Sequence, residues 1–242
     1  IVSTATVMNG YVGYVDVFVD LPDPLVIIVM TVLLSGVAAW GINQSAATIA
    51  VITVIEIAGI LLVIAIAGDS LAALGGQLDR FLPDAAVGDW QRVLAGSFLA
   101  FFAFIGFEDM VNVAEEAKNP RRDMPIAILV SLVVLTVLYF VVALIGSLAL
   151  PEDELAGSDA PLATILAQKG PQYPTIISVV SLVAIVNGVL VQIVMSARVL
   201  YGMARKRVAP GLFARVHPKT RTPLWSTAFS GGIVLVLALA FE

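Results

Sequence analysis

Met124-Pro-Ile-Ala-Ile-Leu-Val-Ser-Leu-Val-Val-Leu-Thr-Val-Leu-Tyr-Phe-Val-Val-Ala-Leu-Ile-Gly-Ser-Leu-Ala-Leu150 contains no charged side chain. A helix needs roughly 20 predominantly apolar residues, at about 1.5 Å each, to cross the hydrocarbon core of a bilayer. This stretch is long enough, and it opens with Asp123 as an expected N-cap and Pro125 in the first turn, where a missing N–H costs nothing. Reading outward from it, the neighbouring runs have the same character. Leu25–Ile55 is also free of charge but too long for one span, and Asn43 and Ser45 are good N-caps inside it. The expected spans are therefore 25–42, 45–67, 93–117, 124–150, 174–204 and 223–241, with 1–14 as the tail of an earlier one and Thr222-Pro223 opening the last. The chain is predicted to be all-α, a single transmembrane domain in a polytopic membrane helix bundle.

Composition supports this reading. Of 242 residues, 60% are apolar and 13% charged, with a mean hydropathy of +1.00. Soluble domains carry about 25% charged residues, and a water-soluble fold of this size cannot bury nearly all of its surface. Lipid as the outer solvent removes the conflict. The net charge of −5 argues against a nucleic-acid partner. There is no cysteine, and the one histidine, His217, lies in a basic loop, so no metal centre or other cofactor is expected. Ile1–Tyr14 lacks the basic leader and small-residue cleavage site of a signal peptide. With Ile at position 1 and an apolar run directly before Glu242, the chain is expected to be a truncated portion of a longer protein.

The basic residues are unevenly distributed. One set of alternate loops holds three, Arg80, Arg92 and Lys169. The other holds nine, Lys118, Arg121, Arg122, Arg205, Lys206, Arg207, Arg215, Lys219 and Arg221. The positive-inside rule places the second set in the cytoplasm. The loops around 68–92 and 151–173 are then outer loops, with short surface helices such as 161–169.

Charged groups within a span are costly and are functional candidates. Glu56 lies halfway along its span, and Glu108 and Asp109 follow Phe104-Ile105-Gly106-Phe107. Each carboxyl could instead be neutral and hydrogen-bond a neighbouring helix, and Asp109 could only cap a half-helix. Gly106 weakens the helix where two acidic residues suit the first turn of a new one, so a break near 104–108 is expected. A break at mid-membrane is tolerated only where it lines a cavity, and its bared carbonyls and amides can hold a charged solute. Small-residue packing explains one glycine equally well. The same two readings apply to the stripe Ala184, Gly188, Gln192 and Ser196, with Asn187 beside it: close helix packing, or the wall of an ion or substrate path.

Phe101-Phe-Ala-Phe-Ile-Gly-Phe-Glu108 and Ala114-Glu-Glu-Ala-Lys-Asn-Pro-Arg-Arg-Asp-Met-Pro125 together resemble the sixth helix and following loop of the amino acid–polyamine–organocation permeases. Ser196-Ala-Arg-Val-Leu-Tyr-Gly-Met-Ala-Arg205 is similar to the eighth helix of that family, and Thr53-Val-Ile-Glu-Ile57 to the middle of the fifth. The resemblance implies part of a five-plus-five inverted-repeat, leucine-transporter-like fold, running from the end of the third helix into the ninth. It implies substrate contacts at Phe102, Phe104, Ile105 and Gly106, and gating or coupling at Glu108. Glu56 falls where some relatives place a lysine near an ion-equivalent site, and Asn187 is grouped with it as a coupling candidate. The glycine-rich first helix of the family is not in this sequence.

The expected function is secondary active transport of amino acids or related amines by alternating access, with a proton or a counter-substrate as coupling partner. The expected location is the plasma (cytoplasmic) membrane, as a multi-pass protein. The alternatives are a non-transporting truncated remnant and a membrane-embedded enzyme. An enzyme is disfavoured, because no nucleophile–base pair or metal set stands at one membrane depth.

Overall fold

The computed structural model describes residues 1–41, 46–81, 87–104, 106 and 119–241. Every regular element among them is helical. In chain order these are α1 (Val2–Asp16), α2 (Asp23–Trp40), α3 (Ala46–Ala67), a 3₁₀ segment (Gly68–Gly76), α4 (Leu78–Phe81) and α5 (Val87–Phe102). There follow α6 (Pro120–Ala149), α7 (Glu152–Ala156), α8 (Pro161–Ala167), α9 (Tyr173–Arg205), a second 3₁₀ segment (Gly211–Ala214) and α10 (Leu224–Ala240).

Among the described residues, four apolar stretches are long enough to cross a membrane: α2, the run Ala50–Gly76 that includes most of α3, α6 and α9. α10 is a shorter apolar helix. With 33 residues, α9 is about 50 Å long, well over the ~30 Å of hydrocarbon, so its ends project beyond the core. On α6 only Leu138, Ile145 and Gly146 are buried, while Phe140 is 67% exposed and Leu129, Val133 and Val137 are exposed beside it. An uncovered apolar face of this length is stable in lipid and not in water. The chain is an integral, multi-pass membrane protein.

Two helix starts differ from expectation. α6 begins at Pro120 with Asn119 as N-cap, and the Asn119 carbonyl accepts from the Arg122 and Asp123 amides at 3.0 and 2.8 Å. The earlier proline takes the first-turn position, which leaves Pro125 inside the helix, where it withholds one backbone bond. α10 begins at Leu224 with Pro223 as N-cap, and Thr222 does not cap it. The Thr222 hydroxyl instead donates at 2.7 Å to the Ala39 carbonyl near the end of α2, one of the helix-terminal acceptors that lack an intrahelical donor. The expected caps Asn43 and Ser45 lie outside the described residues.

The chain divides into two compact units, described here separately: Ile1–Val63 with Glu152–Glu242, and Ile64–Pro151. In the first, α1, α2, α9 and α10 pack around Met8, Val12, Ile27, Leu34, Val189 and Ile193. Small residues set the closest approaches. A Cβ on Gly231 of α10 would stand 2.1 Å from Ser35 Oγ of α2, and one on Gly13 of α1 only 2.3 Å from the Asp159 carbonyl oxygen. α2 stops at Gly41, whose φ of +85° gives the left-handed turn that ends many helices. In the second unit the Gly68–Gly76 segment packs on α6.

Candidate functional site

Glu56 lies on α3 among apolar residues, and α9 presents Asn187 to it. Asn187 Nδ2 donates to Glu56 Oε1 at 3.1 Å, and both side chains are half-buried. The contact is possible because α3 runs close to α9: a Cβ on Gly59, one turn beyond Glu56, would meet Val180 Cγ1 at 2.5 Å. The other amide atom, Asn187 Oδ1, is buried with no hydrogen-bond donor in reach among the described residues.

On the neighbouring turn of α9, Gln192 Oε1 accepts from Thr4 Oγ1 of α1, with Ser3 Oγ at 3.5 Å. Gln192 therefore ties α9 to α1. Gly188, in the same stripe, shows no close helix contact: a Cβ there meets nothing within 4 Å among the described residues.

The sixth-helix candidates lie in the second unit. α5 ends at Phe102, and i→i+3 bonds from Ala103 to Ala100 and from Phe104 to Phe101, at 3.1 and 3.0 Å, tighten its last turn. Gly106 has φ +126°, a backbone conformation that side-chain-bearing residues rarely adopt. The Phe104 ring stands edge-on to Tyr139 of α6, centroids 5.6 Å apart at 71°. Tyr139 is a residue that sequence reasoning passed over; its signal is a phenol in the middle of an otherwise apolar run. Ile105, Glu108, Asp109 and the side chain of Phe102 lie outside the described residues. Of the candidates, the structure brings together Glu56 and Asn187.

At the C-terminal end of α1, Asp16 shares a neighbourhood with Asp23, Asp20 and Asp159. Desolvation first, and then repulsion from these three carboxylates, raises the Asp16 pKa above the ordinary carboxylate value. Its position on the last turn of α1, the negative end of the helix dipole, acts in the same direction.

A model of the amino acid permease family matches residues 1–241. The chain is 32% identical over 219 residues to the branched-chain amino acid permease BcaP of Bacillus subtilis, covering 90% of this chain and 45% of that protein. It is 30% identical over 229 residues to the vacuolar cationic amino acid transporter 4 of Arabidopsis thaliana, covering 94% of this chain and 37% of the relative. A methylthioribose transporter of Bacillus subtilis is 32% identical over 221 residues, covering 90% and 45%. The chain thus spans less than half the length of these relatives, whose names are those of transporters rather than enzymes. With the family match running almost end to end, across the helix that carries Glu56 and the helix that carries Asn187, the chain belongs to the amino acid permease family.

Proposed function

We propose that the protein carrying this chain is a secondary active transporter of amino acids or related amines, working by alternating access in the plasma membrane. The family match carries this reading, and the Glu56–Asn187 pair within apolar helices supports it. The relatives named above handle branched-chain amino acids, cationic amino acids and methylthioribose, so the scaffold accommodates several small polar solutes.

In the proposed mechanism the backbone around Gly106 receives the substrate, with Phe102, Phe104 and Ile105 shaping an apolar wall beside it. A positive φ at Gly106 takes the chain out of helical geometry at the segment whose resemblance to the family's sixth helix points to substrate contact. Glu108 acts in gating. Glu56 carries the coupling proton, and Asn187 exchanges its role with it: the amide N–H satisfies the carboxylate, and the amide oxygen accepts from the carboxylic acid. Counter-exchange of a second solute uses the same cycle without net proton movement.

The test is uptake by the full-length protein in proteoliposomes, over a panel of neutral and cationic amino acids, with and without an inward proton gradient. Wild type should accumulate at least one of them. Glu56→Gln should lose accumulation driven by the gradient, about ten-fold or more on the scale of a lost proton-transfer group, while retaining exchange in solute-loaded vesicles. Gradient-driven accumulation by Glu56→Gln equal to wild type would remove Glu56 from coupling. A panel that wild type neither accumulates nor exchanges would sink the transport reading.

A further inference from the structure

Between α9 and α10 the chain carries Arg205, Lys206, Arg207, Arg215, Lys219 and Arg221, the densest basic stretch of the sequence. Its last part is a built loop. The His217 amide donates to the Thr222 carbonyl and the Arg221 amide to the His217 carbonyl, both at 2.9 Å. The side chains add a directed chain. Thr222 Oγ1 gives its single proton to the Ala39 carbonyl, so Thr220 Oγ1, 2.7 Å away, donates to Thr222. His217 Nδ1 accepts from the Thr220 amide at 3.4 Å and lies 3.2 Å from Thr220 Oγ1. This loop seats against the end of α2, where a Cβ on Gly41 would come within 2.7 Å of the Thr220 carbonyl oxygen.

Behind the loop is a cavity of about 190 Å³ enclosed by the end of α2, the last turns of α9 and the start of α10. Arg198 of α9 and Arg221 of the loop both line it, with Thr220, Thr222 and Thr227, and among the described residues none that lines it is acidic. Neither arginine has a carboxylate partner among the described residues. Among the described residues, Arg221 is also one of two non-glycine residues with positive φ, at 56°.

We propose that this cavity binds a phosphate group. Two guanidinium forks arriving from different elements match the tetrahedral oxygens of a phosphate, which a planar fork can meet in pairs. The N-terminal turn of α10, with Pro223 and Thr227 at the cavity wall, adds the positive end of a helix dipole. An amino acid substrate is a poor fit, because nothing in the lining offers a counter-charge to its ammonium. The phosphate is either the headgroup of an anionic phospholipid or free phosphate. The positive-inside rule puts the loop in the cytoplasm, and Arg198 lies only two turns before the end of α9. Both facts favour the lipid of the inner leaflet.

The experiment is native mass spectrometry on the full-length protein in neutral detergent, titrated with phosphatidylglycerol, with phosphatidylcholine and with inorganic phosphate. Wild type should bind phosphatidylglycerol more tightly than phosphatidylcholine. R198Q/R221Q should lose that binding about ten-fold or more, R198K/R221K should recover part of it, and R215Q, in the same loop but outside the cavity, should stay within about two-fold of wild type, the differences expected where a fork is replaced by a point charge. Competition by inorganic phosphate would identify the free ion as a sufficient ligand, and lipid binding without competition would identify the headgroup. If R198Q/R221Q does not elute as a folded, monodisperse species, the single variants R198K and R221K replace it, each expected to weaken binding. Phosphatidylglycerol binding unchanged by these variants, or lost equally in R215Q, or absent from wild type together with phosphate binding, would overturn the proposal.

Discussion

Asn187 and Glu56 meet at 3.1 Å from two largely apolar helices, the Asn187 amide supplying a donor to the Glu56 carboxyl. Replacing Asn187 by Leu leaves Glu56 Oε1 without that donor. In a double-mutant cycle of Asn187→Leu with Glu56→Leu, unfolding in detergent should give a favourable coupling of about 0.6–1.7 kcal/mol, the range for hydrogen bonds between membrane helices. A coupling of zero would mean that water or another group serves Glu56 equally well. Asp16 is the opposite case, a carboxyl whose neighbours work against its charge. Its folded pKa is raised above the unfolded one, so its effect on stability is most favourable when it is protonated, and stability is lost as pH rises through the folded pKa. Asp16→Asn should therefore raise the melting temperature at neutral pH and low salt. The gain should fade below the carboxylate range and shrink with added salt, since Asp16 is solvent-exposed. Melting curves of both proteins from pH 3 to pH 8 would show it.

At the scale of elements, glycine and serine decide how closely the helices approach. α1 passes the segment before α8 so tightly that a methyl on Gly13 would overlap backbone atoms of Asp159, with the carbonyl carbon at 2.6 Å. A backbone atom cannot rotate away as a side-chain end can. Gly13→Ala should therefore destabilise the protein by about 1–3 kcal/mol, the usual cost of overpacking. Gly10→Ala, on the same helix with nothing within 4 Å of the added carbon, should have little effect or a small gain from helix propensity. Equal melting temperatures for the two variants would contradict the packing described. The connection into α10 follows a different rule. Thr222 serves the end of α2 rather than the helix that follows it, so a residue read locally as a cap acts as a clamp between elements distant in sequence.

On the scale of the whole molecule, the distribution of lysine and arginine and the long apolar faces imply one orientation in the bilayer. The chain has no cysteine, so single cysteines placed in it, in a full-length protein cleared of any others, report it directly. Asp153→Cys lies on α7 and Lys219→Cys in the basic loop, and both positions are solvent-exposed. In intact cells, a membrane-impermeant maleimide should label Asp153→Cys and leave Lys219→Cys unlabelled until the membrane is opened. The reverse pattern would invert the orientation, and equal labelling would mean that the two positions are not separated by a membrane.

Helical class, membrane habitat and family resemblance were legible from residues alone, because each is a property summed along a local stretch. Charge-free runs such as 124–150 exceed the membrane thickness whatever they pack against, and the Phe101–Glu108 and Ala114–Pro125 motifs are contiguous. Helix starts were less legible: Asn119-Pro120 and Asp123 with Pro125 offer competing first turns, and only the folded backbone chooses between them. The partners of the polar groups could not be read at all. That Glu56 meets Asn187, that Gln192 turns to Thr4, and that Thr222 bonds Ala39 depends on which faces of α1, α2, α3 and α9 come together. Hydropathy fixes that these helices are buried in lipid, but it is nearly indifferent to their rotation about their own axes. Steric fit at the small residues and the need to pair every buried polar atom set that rotation, and both are properties of the assembled bundle.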